Sequence, residues 1–232
     1  MSIVDSFYQS IIVDQRYQYI LEGLKNTLLI AFFALFLGLS LGILIALIRN
    51  SYKETKKHKI LNILCTFYVT IIRGTPTVLQ LMIIYYVIFK QVNISIIFVG
   101  VLSFGLNSAA YVSEIIRAGI ESIDKGQKEA AHSLGLNYLQ LMRYIILPQA
   151  IKNVLPALGN EFITLLKETS VAGYIGIIEL VKASDIIASN TYDYFFPLII
   201  VAIIYLILTL GLSKLLKLLE RKMNLHADVV ES

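Results

Sequence analysis
An all-α integral membrane protein with five transmembrane helices, its N-terminus outside and its C-terminus in the cytoplasm, is the fold class the sequence predicts. Three observations predict it. The 232 residues are 57% hydrophobic and only 16% charged, with a mean hydropathy of +0.73, whereas soluble domains run at about 45–50% apolar and about 25% charged. Three uncharged runs, 28–48, 94–113 and 195–213, hold 21, 20 and 19 residues, and a run of that length spans about 30 Å as a helix, enough to cross hydrocarbon. The basic residues lie in short clusters beside the apolar runs, which is an orientation signal.

The first span is expected over 24–48. Its uncharged core is too long for the apolar part of a cleaved signal peptide, and no A-x-A site follows it. The second is expected over 60–89, interrupted by Arg73-Gly74-Thr75-Pro76, and the third over 94–118. The fourth, 154–171, is apolar but carries Glu161, Lys167 and Glu168, and the fifth covers 195–217. Charge fixes the count. The cluster 49–59, the tail 214–222 and the region holding Arg117, Lys125, Lys128, Arg143 and Lys152 all belong in the cytoplasm, while the stretch before residue 20 has Arg16 against Asp5 and Asp14. Five spans put every cluster on its proper side; four, with 154–171 outside the bilayer, would strand the C-terminal lysines.

Other classes fall away. Cys65 is alone, and His58, His132 and His226 are scattered, so the chain offers no disulfide framework, metal-ligand spacing or intramembrane nucleophile–base pair. No catalytic residues are expected. The net charge of +4 belongs to the orientation clusters and does not indicate nucleic acid. An odd span count without an inverted repeat argues against a self-contained secondary transporter or a channel, though either remains an alternative.

Between the third and fourth spans lies a polar region, 121–149, that looks ordered. Ser122 or Asp124 can cap a helix over 125–134, and Gly135 fits the position after its end. Asn137 with Gln140 forms a capping-box pattern for a second helix, 138–147, which Pro148 should stop. Ala130, Ala131 and Leu134 make a small apolar knob, able either to cover the chain's own spans or to meet a partner.

Glu129-Ala130-Ala131, Gly135, Ile145, Leu147 and Pro148 fit all seven positions of EAA-x3-G-x9-I-x-L-P. This resembles the EAA loop of the permeases of ABC importers. GLKNTL (23–28), IRGTP (72–76), NSAAYVSEIIRAGI (107–120) and LPALGNEFITLLKETS (155–170) are similar to the polar amino-acid branch of that family. The resemblance covers most of 20–220 and weakens at 49–59, at 90–94 and after Met223. It implies a type I importer fold in a bacterial cytoplasmic membrane. The EAA loop would be a coupling helix that docks on a cytosolic ATPase dimer, with Glu129, Ala130, Ala131, Ser133, Leu134, Gly135 and Pro148 at the contact. A second permease copy, identical or a close paralogue, and an extracytoplasmic amino-acid-binding protein near 174–193 would complete the assembly. The sequence has no G-x-x-x-x-G-K-[ST] run to cradle ATP, so ATP and Mg belong on the partner and this chain binds no cofactor.

Ionisable groups at membrane depth point to a pathway. Ser103, Asn107, Tyr111 and Glu114 fall on one helical stripe of the third span, and Asn160, Glu161, Thr164 and Glu168 lie on adjacent faces of the fourth. A zwitterionic amino acid needs an anion for its ammonium, which Glu161 and Glu114 can supply, and donors for its carboxylate, which Asn107, Thr75 and Arg73 can supply. The carboxylates lean toward a cationic substrate; methionine or an opine-like solute is the nearer alternative. Interhelical hydrogen bonds and helix caps are the competing role for these groups. Arg73-Gly74-Thr75-Pro76 is either a plain kink or an opening whose freed carbonyls line a cavity.

Overall fold
A computed structural model describes residues 3–230. Ten α-helices, joined by short π and 3-10 turns, account for the described chain: α1 (Ile3–Phe7), α2 (Tyr17–Thr55), α3 (Lys59–Gly74), α4 (Thr77–Ile83), α5 (Ile96–Glu121), α6 (Lys125–Ser133), α7 (Tyr138–Leu141), α8 (Leu147–Glu168), α9 (Leu180–Thr191) and α10 (Phe195–Val230). By length and composition three of them can cross a membrane, over Tyr17–Thr55, Ile96–Glu121 and Phe195–Lys222, and a fourth crossing is available if α3 and the α4 segment form one broken span. The helix α8 falls short on composition, since Gln149, Lys152, Asn153, Asn160 and Glu161 lie along it.

The bundle is organised on α2 and α5. Along α2 the buried residues Gly23, Thr27, Ala31, Ala34, Gly38, Gly42 and Ala46 recur every three or four positions, so one narrow stripe of small side chains faces the protein. Phe32, Phe33 and Phe36 point outward, more than half exposed, toward where acyl chains would lie. The stripe lets α5 come close: a Cβ at Gly38 would sit 2.9 Å from the Ser108 side chain, and one at Gly42 would sit 2.5 Å from Val112. Such small-residue packing replaces the hydrophobic drive that helices lack in lipid. Phe104, Leu81, Leu165 and Ile177 fill the centre of the bundle.

The second predicted span is far from straight. The axes of 59–74 and 77–88 differ by 112°. Thr75, forced out of the helical region by the following proline, is extended at φ −127 and ψ 150. Two of the carbonyls at the break are engaged from across it: the Gln80 side chain donates to Ile72 O at 2.7 Å and Thr75 O at 3.0 Å.

Two further expectations need correction. The cluster 49–59 is not a loop: α2 stays helical to Thr55, and only Lys56–His58 separates it from α3, with Lys56 and His58 left-handed. Pro148 does not end the second elbow helix. That helix lasts four residues, widens into a π turn over Met142–Ile146, and continues as α8 through Pro148. A proline lacks the N–H that would bond to residue 144, and a widened turn before it absorbs the misfit.

Candidate functional site: the capped elbow and the polar face of the bundle
The elbow is built by local capping on both helices. Asp124, not Ser122, caps α6, its carboxylate accepting from Gly126 N at 2.7 Å. At the other end Leu136 N donates to Ala131 O at 3.1 Å and Gly135 N to His132 O at 2.9 Å. This is a Schellman ending, and Gly135 occupies its left-handed position at φ +76. Asn137 and Gln140 then form the predicted capping box reciprocally, at 2.9 and 3.0 Å. Both helix ends that meet at the turn are thereby capped by local hydrogen bonds.

Its two faces differ. Ala131 is 1% exposed and packs with Ile120, Ile123, Leu141, Met142 and Ile146. The predicted knob is therefore split: Ala131 anchors the elbow inward. Glu129, Ala130, Ser133, Leu134, Gly135 and Pro148 are exposed. Leu134 at 80%, Leu139 at 75% and Tyr144 at 65% exposure carry apolar surface outward.

The predicted pathway residues fall into three groups. Glu114 is the hub of an ion cluster: Arg49 donates to it, Arg117 lies at 2.8 Å and Arg73 at 3.4 Å. Arg73 also rests over the Tyr111 ring at 5.6 Å. Three arginines thus surround one carboxylate, and the locality is net positive. Asn107 is buried and committed to structure, donating to Gln80 at 2.9 Å, while Gln80 in turn donates to the Thr75 hydroxyl at 2.8 Å. Gln80 thus joins Asn107 to Thr75 across the helix break. Glu161 stands apart, half-buried, accepting from Ser108 at 3.1 Å, while Asn160 and Thr164 sit on the exposed flank of α8 and Arg73 and Thr75 are exposed at the break.

Three participants were not singled out from the sequence. Gln80 was legible as a polar side chain in an apolar run four residues beyond Pro76. Arg49 was hidden by its place in a basic cluster. Ser108 read only as a small packing residue.

Beside the first turns of α2, at the far end of that helix from the elbow, lies another polar feature. Glu179 is wholly buried and caps α9, accepting from Val181 N and Lys182 N at 2.7 Å each. Burial pushes its carboxyl up to about 7, against the pull of those two donors. A cleft of about 370 Å³ lies beside it, lined by Ser170, Tyr174, Lys182, Asp185 and Tyr194 among others.

Comparison with known proteins adds to this geometry. A family model described as "Binding-protein-dependent transport system inner membrane component" matches residues 18–225. A permease protein of Rickettsia typhi assigned to a glutamine transport system is 44% identical over 209 residues, 88% of this chain and 93% of that one. An arginine transport system permease protein of Bacillus subtilis is 45% identical over 208 residues, 89% and 93% of the two chains. Among solved structures, a crystal structure of an amino acid ABC transporter with histidines matches at a TM-score of 0.81 with 47% identity, covering 89% of this chain and 94% of that one. A methionine ABC transporter in an inward-facing conformation shares the fold at a TM-score of 0.69 and 19% identity, covering 89% and 97% of the two chains.

Proposed function
Because the chain belongs to the family of binding-protein-dependent transport system inner membrane components, we propose that it forms half of the translocation pathway of an ATP-driven importer for polar amino acids. Two permease copies, identical or closely related, work with two cytosolic ATPase subunits, which hold the ATP and Mg, and with an extracytoplasmic binding protein. The observation that carries the reading is the elbow, a doubly capped turn anchored by Ala131 and presenting Ala130, Leu134 and Leu139 to the outside. A motor that closes on ATP can move a helix bundle only through a stiff, shape-complementary contact, and a turn capped on both sides is suited to supply one. In this reading α8 completes the five spans beside α2, the broken α3–α4 segment, α5 and α10. The elbow then faces the cytoplasm and the N-terminus lies outside, with the 174–193 region toward the binding protein.

The wall of the pathway is offered by Arg73, Thr75, Asn160, Glu161 and Thr164, and a second copy related by a two-fold axis would close it. The polar relatives, named for glutamine and arginine transport, fit such a wall. The three arginines around Glu114 suit a substrate carboxylate, and Glu161 is then the group left for an ammonium. A cationic side chain would have to be accommodated by Glu161 alone, so the leaning toward cationic substrates rests on that residue.

Reconstitution in liposomes tests the reading. With an ATPase subunit and a binding protein, uptake of glutamine or arginine should require ATP, and Leu134→Glu should abolish both uptake and copurification of the ATPase. Uptake by the purified chain alone, without any ATPase, would refute it.

A further inference from the structure
The last two turns of α2 are tied to the rest of the chain by four successive polar contacts, each reaching a different place. Glu54 pairs with Lys128 on α6 at 3.6 Å. Lys53 pairs with Glu121 at the end of α5 at 2.7 Å. Asn50, 7% exposed, donates to the Tyr138 hydroxyl at 2.9 Å and lies 3.9 Å from the Met142 sulfur. Arg49 pairs with Glu114, which also holds Arg73 at the helix break. Residues 49, 50, 53 and 54 share one side of a helix by their spacing, so a single rigid face touches α5 and both helices of the elbow.

Taken in order, the contacts make a continuous path. It starts on the elbow at Lys128 and Tyr138, passes through one helical turn of α2, and leaves through Arg49 to Glu114 and Arg73. Beyond Arg73 the backbone breaks at Thr75. The contacts differ in kind from the apolar packing of the elbow interior, because ion pairs and a buried hydrogen bond have defined partners and distances. A tilt of α6 that stretched the Glu54–Lys128 contact would load α2, and α2 would carry that load to the only arginine held both by Glu114 and over the Tyr111 ring.

Resting on the coupling role given above to the elbow, we propose that the cytoplasmic end of α2 is a strut whose residues Arg49, Asn50 and Glu54 transmit the elbow's position to Arg73 at the break between α3 and α4. These are positioning residues: none needs to touch substrate or the ATPase. The strut adds to the covalent route through α8, which leads from the elbow to Glu161 but does not reach Arg73.

The test uses the full permease with its ATPase and binding protein in liposomes, and reads uptake per ATP hydrolysed beside ATPase copurification. Glu54→Lys reverses one charge, and Tyr138→Phe removes only the hydroxyl that Asn50 reaches. Each should lower uptake per ATP by about fivefold, a low-end coupling effect, while the ATPase still copurifies. The exchange Glu54→Lys with Lys128→Glu should restore the ratio to within about twofold, which a general loss of stability would not do. Unchanged coupling in both single variants overturns the strut, as does a double exchange no better than Glu54→Lys. If Leu134→Glu also leaves uptake intact, the docking reading itself fails; if Leu134→Glu abolishes uptake while the strut variants remain coupled, only the strut is wrong.

Discussion

The sharpest consequence of the elbow geometry concerns Gly135. Its backbone is left-handed at φ +76, and a Cβ built on it would meet nothing within 4 Å. The effect of Gly135→Ala therefore comes from backbone conformation alone, with no clash inside the chain. Holding an L-residue in the left-handed region costs about 1–2 kcal/mol. Asparagine tolerates that region better because its short side chain bonds locally, so Gly135→Asn should lose less. If the left-handed turn is what presents Leu134 and Leu139, the cost appears as fewer elbows in the docking conformation. Its ceiling is about a 5- to 30-fold weaker association with the ATPase subunit, reached as the competent conformation becomes the minor one.

A titration of ATPase subunit onto the permease in nanodiscs, with amide exchange followed at 136–141, measures this directly. Expected is an order of wild type, Asn, Ala in falling affinity, with faster exchange at Leu136, whose N–H closes the turn onto Ala131. Gly135→Trp adds a second comparison. A Cβ at this position meets nothing within the chain, so a loss far beyond that of alanine points to the partner's surface. Alanine and asparagine variants that both bind as tightly as wild type would refute the role of the turn, and an asparagine as damaging as alanine would refute the conformational account of it.

Three other expectations follow from the packing and the charges. Gly23→Ala places a Cβ 2.8 Å from the backbone carbon and oxygen of Glu179; overpacking of about 1–3 kcal/mol exceeds the roughly 1 kcal/mol that alanine gains over glycine in a helix, so thermal unfolding should come earlier, whereas Gly211→Ala, with nothing within 4 Å, should not lower it. Glu179, pushed up to about 7 by burial, keeps its proton in the folded chain at pH values where the unfolded chain has released it. Stability is then fullest below the usual carboxylate range, falls as pH rises to about 7, and is level above, a slope in unfolding temperature that Glu179→Gln should remove. Glu161→Gln should lower lysine and arginine uptake more than glutamine uptake in the reconstituted importer; an equal loss of all three would remove the preference for cationic side chains, and unchanged uptake of all three would remove Glu161 from the ammonium site.

What the sequence made legible tracks where local chemistry decides structure. Gly135, Asn137 and Gln140 act through their own backbones, and the turn they predicted is the turn observed. Clean apolar runs gave α2, α5 and α10 for the same reason: hydrophobicity over some twenty residues is a local property. The misses arise where a partner distant in sequence decides. Ala131 read as part of a knob free to turn either way, and its packing on Ile120 and Leu141 turns it inward. Gln80, which links Asn107 to Thr75, carried no local signal of that role. Arg49 read as an orientation charge, and its pairing with Glu114 spans 65 positions. No periodicity announces such a contact, because it depends on how α2 and α5 are set side by side by their small-residue stripes.

Pro148 is the most instructive of these cases. Sequence rules make proline a stop, since it cannot donate to the carbonyl four residues back. In the chain the π turn over Met142–Ile146 takes up the misfit, so the helix runs on from the elbow into α8. From Leu147 to Glu161 the helix covers about 21 Å at the ordinary helical rise, with Pro156 inside it. A proline that ended the helix would have put a loop between the elbow and the bundle. A proline accommodated in the first turn of α8 instead joins the elbow to the bundle by helical backbone. If the elbow is the docking face, its movement is carried along α8 toward Glu161 and its contact with Ser108 on α5.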